Sequence, residues 1–111
     1  MPIIGSYRDV GVWLLSMDMV DEVWRRVRAL PRDEFELKRQ ITGAAISIPP
    51  SVAEGWCRKH RRQAYQNHVS IAMGSSGELH TQLDVCFRNQ LLRRDDCKQI
   101  TDMLADARPA L

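Results

Sequence analysis

Apolar residues recur along most of this chain in alternating steps of three and four. That period holds one stripe on one face of an α-helix and suits a bundle seam. Sustained period-two alternation and Asn-Gly or Asp-Gly hairpin turns do not occur in the sequence, so strands are not expected. The first helix is expected from about Asp9 to Leu30, with Val10, Trp13, Met17, Val20, Trp24, Val27 and Leu30 inward and Asp9 as the N-cap. Leu14, Leu15 and Val23 widen its stripe, and Pro31 ends it. The second helix starts near Asp33, with Glu36 three residues on, a capping-box spacing. Leu37, Ile41, Ala44 and Ile48 carry its stripe, and Gly43, Ala44 and Ala45 suit close approach of a neighbour. Pro49 and Pro50 each remove a helical N–H, so this helix must kink, or stop and restart, before a stop at Gly55.

The third helix has the most regular pattern: Tyr65, Val69, Ala72, Ser76, Leu79, Leu83, Cys86 and Gln90. Gly74 and Gly77 lie in its middle, where each costs about 1 kcal/mol against alanine. Tight packing against the second helix is the expected compensation. The fourth helix runs from about Asp95 to Ala107, with Cys97, Ile100, Leu104 and Ala107 inward and Pro109 as its stop. Short connections make neighbours antiparallel. The expected fold is all-α: an antiparallel up-down-up-down four-helix bundle with a Pro-kinked second helix, one domain over residues 1–111.

Several of these segments resemble one family. They are Asp9-Val10-Gly11-Val12-Trp13, Glu36 to Ile41, Ser47-Ile48-Pro49 with Val52-Ala53-Glu54-Gly55, and Ile71 to Ser75 with Glu78 to Leu83. In this order they resemble the bacterial four-helix bundle proteins related to the 23S ribosomal RNA intervening-sequence protein. The accessory variability protein of diversity-generating retroelements is a relative of that family. The resemblance spans roughly residues 7–105. It implies a ring-like homopentamer and an association with nucleic acid. Relatives are encoded within ribosomal RNA insertions or work with a reverse transcriptase and its RNA, and no enzymatic activity is established for the family. The chain departs at Pro50 and Ser51, where the family usually has Ser-Asn, so an amide that could bond the broken backbone is missing.

Charge sharpens the partner. The formal net charge is +2, and its placement is uneven. Residues 1–57 and 69–111 each carry one more acidic than basic side chain, whereas 58–68 carry four basic and none acidic. Arg58, Lys59, His60, Arg61 and Arg62 therefore form the candidate nucleic-acid contact, with Arg25 and Arg26 as a possible extension. A solvated loop is the plainer alternative. Gln40, Ser47, Glu54, Ser75, Glu78 and Gln82 are expected to satisfy backbone groups freed by the prolines. Trp13 and Trp24 are read as core. Trp56, with Leu15 and Met19, is read as a subunit contact.

Catalytic and metal chemistry find little support. Glu78-Leu79-His80 lacks the Glu-x-x-His spacing of di-iron bundles, and His60, His68 and His80 share no zinc spacing. Cys57, Cys86 and Cys97 are odd in number and read as small buried hydrophobes in a reducing compartment. No cofactor, metal or small-molecule substrate is expected. No apolar run approaches the roughly 20 residues of a membrane span, and a signal-peptide pattern is lacking, so a cytoplasmic protein is expected. The expected function is a non-enzymatic oligomeric bundle, the homopentamer that the resemblance implies, that binds structured RNA or DNA through a basic rim at 58–62. The alternative is an oligomeric scaffold or adaptor with a protein partner and no nucleic acid.

Overall fold

In the computed structural model, which describes residues 6–107, the chain folds into helices joined by short turns, with no strand among the described residues. A 3-10 turn at Tyr7–Asp9 leads into α1, Gly11–Val27. A second 3-10 turn at Arg32–Glu34 precedes α2, Phe35–Ile46, which is followed by α3, Ile48–Cys57. The long α4 spans Arg62–Arg88, and α5 spans Arg94–Ala107. With α2 and α3 as two pieces of one leg, this is an all-α four-helix bundle. α1 and α4 each pack against α2, α3 and α5 and sit diagonally across it. Ile41, Ala45, Leu79, Leu83, Cys86 and Ile100 form the centre of the core. The side chain of Ala107 and the stop expected at Pro109 lie outside the described residues.

The expected stripes of the third and fourth helices match the buried face at Ala72, Leu79, Leu83 and Cys86, and at Cys97, Ile100 and Leu104. The first helix keeps part of its expected stripe, with Val27 and Leu30 buried and Trp13 and Val20 packed against the core, but the middle of its buried face is rotated. Its inward residues are Ser16, Met19, Glu22, Val23 and Val27, whereas Met17 and Trp24 are exposed. Asp9 belongs to the 3-10 turn, and Val10 takes the N-cap position without a side-chain bond. The capping box at Asp33 does not form, because the 3-10 turn moves the start of α2 to Phe35. Glu36 bonds Arg39 instead, at 2.7 Å.

The prolines do not bend a continuous helix. The chain stops at Ser47 and restarts, so Pro49 and Pro50 fall in the first turn of α3, where N–H groups have no intrahelical acceptor anyway. Ser47 Oγ donates to the Ala44 carbonyl at 2.8 Å and lies 2.5 Å from Ser75 Oγ. Ser51 Oγ donates to the Ser47 carbonyl at 2.8 Å, the ordinary back-bond of a helical serine, and not to Ala45 or Ile46, whose carbonyls lose the amides of Pro49 and Pro50. The rest of the expected polar network is elsewhere. Gln40 bonds Glu36, Gln82 bonds Glu78, and Glu54 faces His68 Nε2 at 3.4 Å.

Glycine also plays parts the pattern did not predict. Gly55 is not a stop but a buried residue within α3, where an added Cβ would lie 3.3 Å from His68 Cβ. It lets α3 approach α4. At Gly43, Gly74 and Gly77 an added Cβ would meet nothing within 4 Å, so these glycines do not seat a neighbouring helix of the subunit.

The end of α4 shows a local cost. Gln90 has φ 61°, and the Leu91 and Gln90 amides donate to the carbonyls of Cys86 and Phe87, a Schellman closure. A side chain in this left-handed conformation costs about 1 kcal/mol. Gln90→Gly is therefore expected to stabilise the chain by about 1 kcal/mol, read as a higher urea midpoint with an unchanged slope.

The cysteines divide two ways. Cys86 and Cys97 are buried as expected, but Cys57 is exposed at the end of α3. Burial pushes the Cys86 thiol up to about 11, with a smaller contribution from Cys97, and burial likewise raises Cys97. At pH 8 a chromogenic thiol reagent is expected to titrate one fast cysteine in the native chain, and all three after unfolding. The sign of the pH effect follows. Between about pH 9 and the Cys86 value of about 11 the unfolded chain loses the proton that the folded chain keeps, so stability falls with rising pH.

Candidate nucleic-acid interface

The chain turns from α3 into α4 through a tight cationic loop. Arg58 caps α3, its amide reaching the carbonyls of Glu54 at 3.1 Å and Gly55 at 3.2 Å. The Lys59 amide bonds the Trp56 carbonyl, and the Arg61 amide bonds the Arg58 carbonyl at 2.9 Å. Arg61 then occupies the N-cap of α4 with no side-chain cap bond, and Arg62 opens the helix. The first N–H groups of α4 therefore point out of the fold into a cationic surface, a geometry suited to an anion. Arg58, Lys59, His60, Arg61 and Arg62 are all exposed. None of the ion pairs among the described residues involves the four cations.

An aromatic surface adjoins the loop. Lys59 Nζ stands 3.5 Å from the centre of the Trp56 ring, a cation–π contact. Trp56 is half-buried and, with Tyr65, His68, Val10, Val12 and Val52, lines a cavity of about 80 Å³ beneath the run. Gly55, Ser51 and the α4 residues Val69 and Ala72 complete its wall.

Arg25 and Arg26 are not part of this surface. Val10 and Val12 line the same cavity as Trp56, which puts the start of α1 beside the run. Arg25 lies about 20 Å further along the helix at 1.5 Å per residue. Both arginines are engaged there. Arg25 pairs with Glu22, and Arg26 reaches Glu22 at 2.8 Å and Asp96 at 3.0 Å. The cation that does share the loop's end of the bundle is Arg8, in the 3-10 turn that packs on α3. Its guanidinium sits 5.5 Å from the Tyr7 ring centre. Arg8 stands next to Asp9 in sequence, which hides its contribution in a charge count.

Of the expected subunit contacts, Trp56 is half-buried against the loop and Leu15 half-buried along α1. Met19 is 1% exposed and belongs to the core, so it is not available to a second subunit. Leu14, Met17 and Trp24 are the exposed apolar side chains of α1. Trp24 is 45% exposed, because the rotated phase of α1 turns it outward. Among the described residues, no helix is long and apolar enough to cross a membrane.

No curated protein matches the chain. The family described as 23S rRNA-intervening sequence protein matches it over residues 8–111. That match takes in every helix of the bundle and the cationic loop, and the chain belongs to the 23S rRNA-intervening sequence protein family.

Proposed function

We propose that this chain is a non-enzymatic, oligomeric bundle that binds structured RNA or DNA through the loop between α3 and α4. The observation that carries this reading is the grouping of four unpaired exposed cations at the uncapped start of α4. Cations neutralise phosphates and release counterions, and the free N–H groups add direction to the contact. Trp56 and Tyr65 add aromatic faces beside the charge. The family's name refers to an intervening sequence of 23S rRNA, which makes structured RNA the first ligand to try.

Oligomerisation belongs to the same proposal. Leu14, Met17, Trp24, Phe35, Ile46 and Ile71 are exposed apolar side chains on the outside of one small bundle, and such surface is usually covered. A homopentamer is the assembly the family resemblance implies, and it would repeat the cationic loop five times, strengthening weak contacts by avidity. The cytoplasm is the proposed setting.

The test is a titration with a structured RNA and a DNA duplex across a salt series. Four phosphate contacts per site give a log–log salt slope of roughly −3 to −4. Replacing Arg58, Lys59, Arg61 and Arg62 with alanine is expected to flatten that slope and abolish binding at moderate salt. Binding unaffected by the replacement, or no binding by the wild type at low salt, would turn the reading toward a scaffold that holds a protein partner.

A further inference from the structure

Three helices wall the cavity beneath the cationic loop: Val12 comes from α1, Gly55 and Trp56 from α3, and Tyr65, His68 and Val69 from α4. Its narrow side has a backbone cause. Gly55 has no side chain, and a Cβ there would lie 3.3 Å from His68 and 3.8 Å from Tyr65. The cavity measures about 80 Å³. One water needs roughly 10–15 Å³ of such space, so there is room for one flat ring but not for a base pair. The wall is mostly apolar, and the Tyr65 phenol, the His68 imidazole and the Ser51 hydroxyl are among its polar groups. Apolar and aromatic walls with a few polar groups suit a small ring that has a polar edge.

Charge decides what carries that ring. The Lys59 ammonium stands 3.5 Å from the centre of the Trp56 ring, so a cation and the cavity wall meet on one side chain. Arg58, Arg61 and Arg62 are exposed in the same loop. A neutral apolar molecule would use the wall and ignore the charge. A continuous duplex would use the charge and ignore the wall, because its bases are stacked inside it. A nucleotide whose base lies out of the stack uses both: the ring enters against Trp56 and Tyr65, and the flanking phosphates meet the loop. We infer that the cavity receives one unpaired base of the bound nucleic acid, at a bulge or strand end beside a stem. This rests on the nucleic-acid reading proposed above, and narrows the ligand from any structured strand to one with a base free to leave the stack. An unpaired base enters at the least cost, since no pairing has to be broken.

The test uses the full chain and two RNA hairpins that share one stem sequence. One hairpin carries a single bulged 2-aminopurine nucleotide, whose fluorescence falls when the base stacks, and the other is fully paired. The wild type is expected to bind the bulged hairpin about tenfold more tightly than the paired one, with a fall in fluorescence on binding. Val69→Phe and Val12→Phe fill the cavity from α4 and from α1 without removing a cation. Each variant, with undiminished helical circular dichroism, is expected to bind both hairpins equally, at the wild type's affinity for the paired one. Equal binding of the two hairpins by the wild type, or a preference for the bulge that persists in either folded variant, would overturn the role of the cavity and leave the cationic loop in place. Failure of the wild type to bind either hairpin at low salt would remove the nucleic-acid reading and this inference together.

Discussion

Leu79→Ala is expected to lower the stability of the chain by about 3 kcal/mol. Leu79 is fully buried in the middle of α4, where the helix faces the rest of the bundle. Truncation removes three carbons from water-free packing and leaves a void that rigid helices close only in part. Residues on both sides of it in sequence are pinned, with Ala72, Leu83 and Cys86 equally buried. A chain of this size has a total stability of about 5–15 kcal/mol, so one such change removes a large share. Urea unfolding followed by circular dichroism, at one fixed protein concentration, reads the loss as a shifted midpoint with the same slope. Leu14→Ala, on the exposed side of α1, provides the contrast in a dilute sample. It is expected to stay within about 0.5 kcal/mol of the wild type. Equal costs for the two would mean that the helix phases described above are wrong.

How far the sequence reached depended on how many neighbours a residue's position required. In α4 the apolar stripe was clear, since the positions between Ala72, Leu79, Leu83 and Cys86 are small or polar apart from Met73 and Val85. α1 offered two apolar lines, one through Met17 and Trp24 and one through Met19 and Val23. Hydrophobicity favoured the line with the tryptophans. The bundle buries the other, and Glu22 at its edge is tolerated there because Arg26, itself tied to α5, pairs with it, a contact between residues far apart in sequence. The cationic loop was legible because charge, turn and helix start coincide in one short segment. Its supposed extension to Arg25 and Arg26 was not, since proximity there depends on which end of α1 meets the loop. Gly55 illustrates the same limit: a glycine before a turn suggests a helix stop, and only the approach of α4 reveals that it makes room.

Arg26→Met is expected to cost about 2 kcal/mol, more than its partly exposed position on α1 suggests. The reason lies in Glu22, a carboxylate on a residue only 5% exposed. Glu22 lies beside two arginines, and of these Arg25 is mostly in solvent while Arg26 is about one-third exposed. Arg26 also crosses to α5, with Asp96 at 3.0 Å and Gln99 Oε1 at 2.8 Å. Its removal leaves a buried carboxylate with one solvated partner and cuts the polar tie between the two helices. Leaving a buried charge short of partners costs more than the pair itself contributes. The double variant Glu22→Met with Arg26→Met is therefore expected to recover about half of the loss, since an apolar pair of similar length fills the site. Asp96 still lacks its partner in that variant, which keeps the recovery incomplete. Urea midpoints of the wild type, the two single variants and the double variant complete the cycle, with a coupling of about 1 kcal/mol expected. Additive losses would show that Arg26 stabilises the bundle through α5 alone and that Glu22 is served by Arg25.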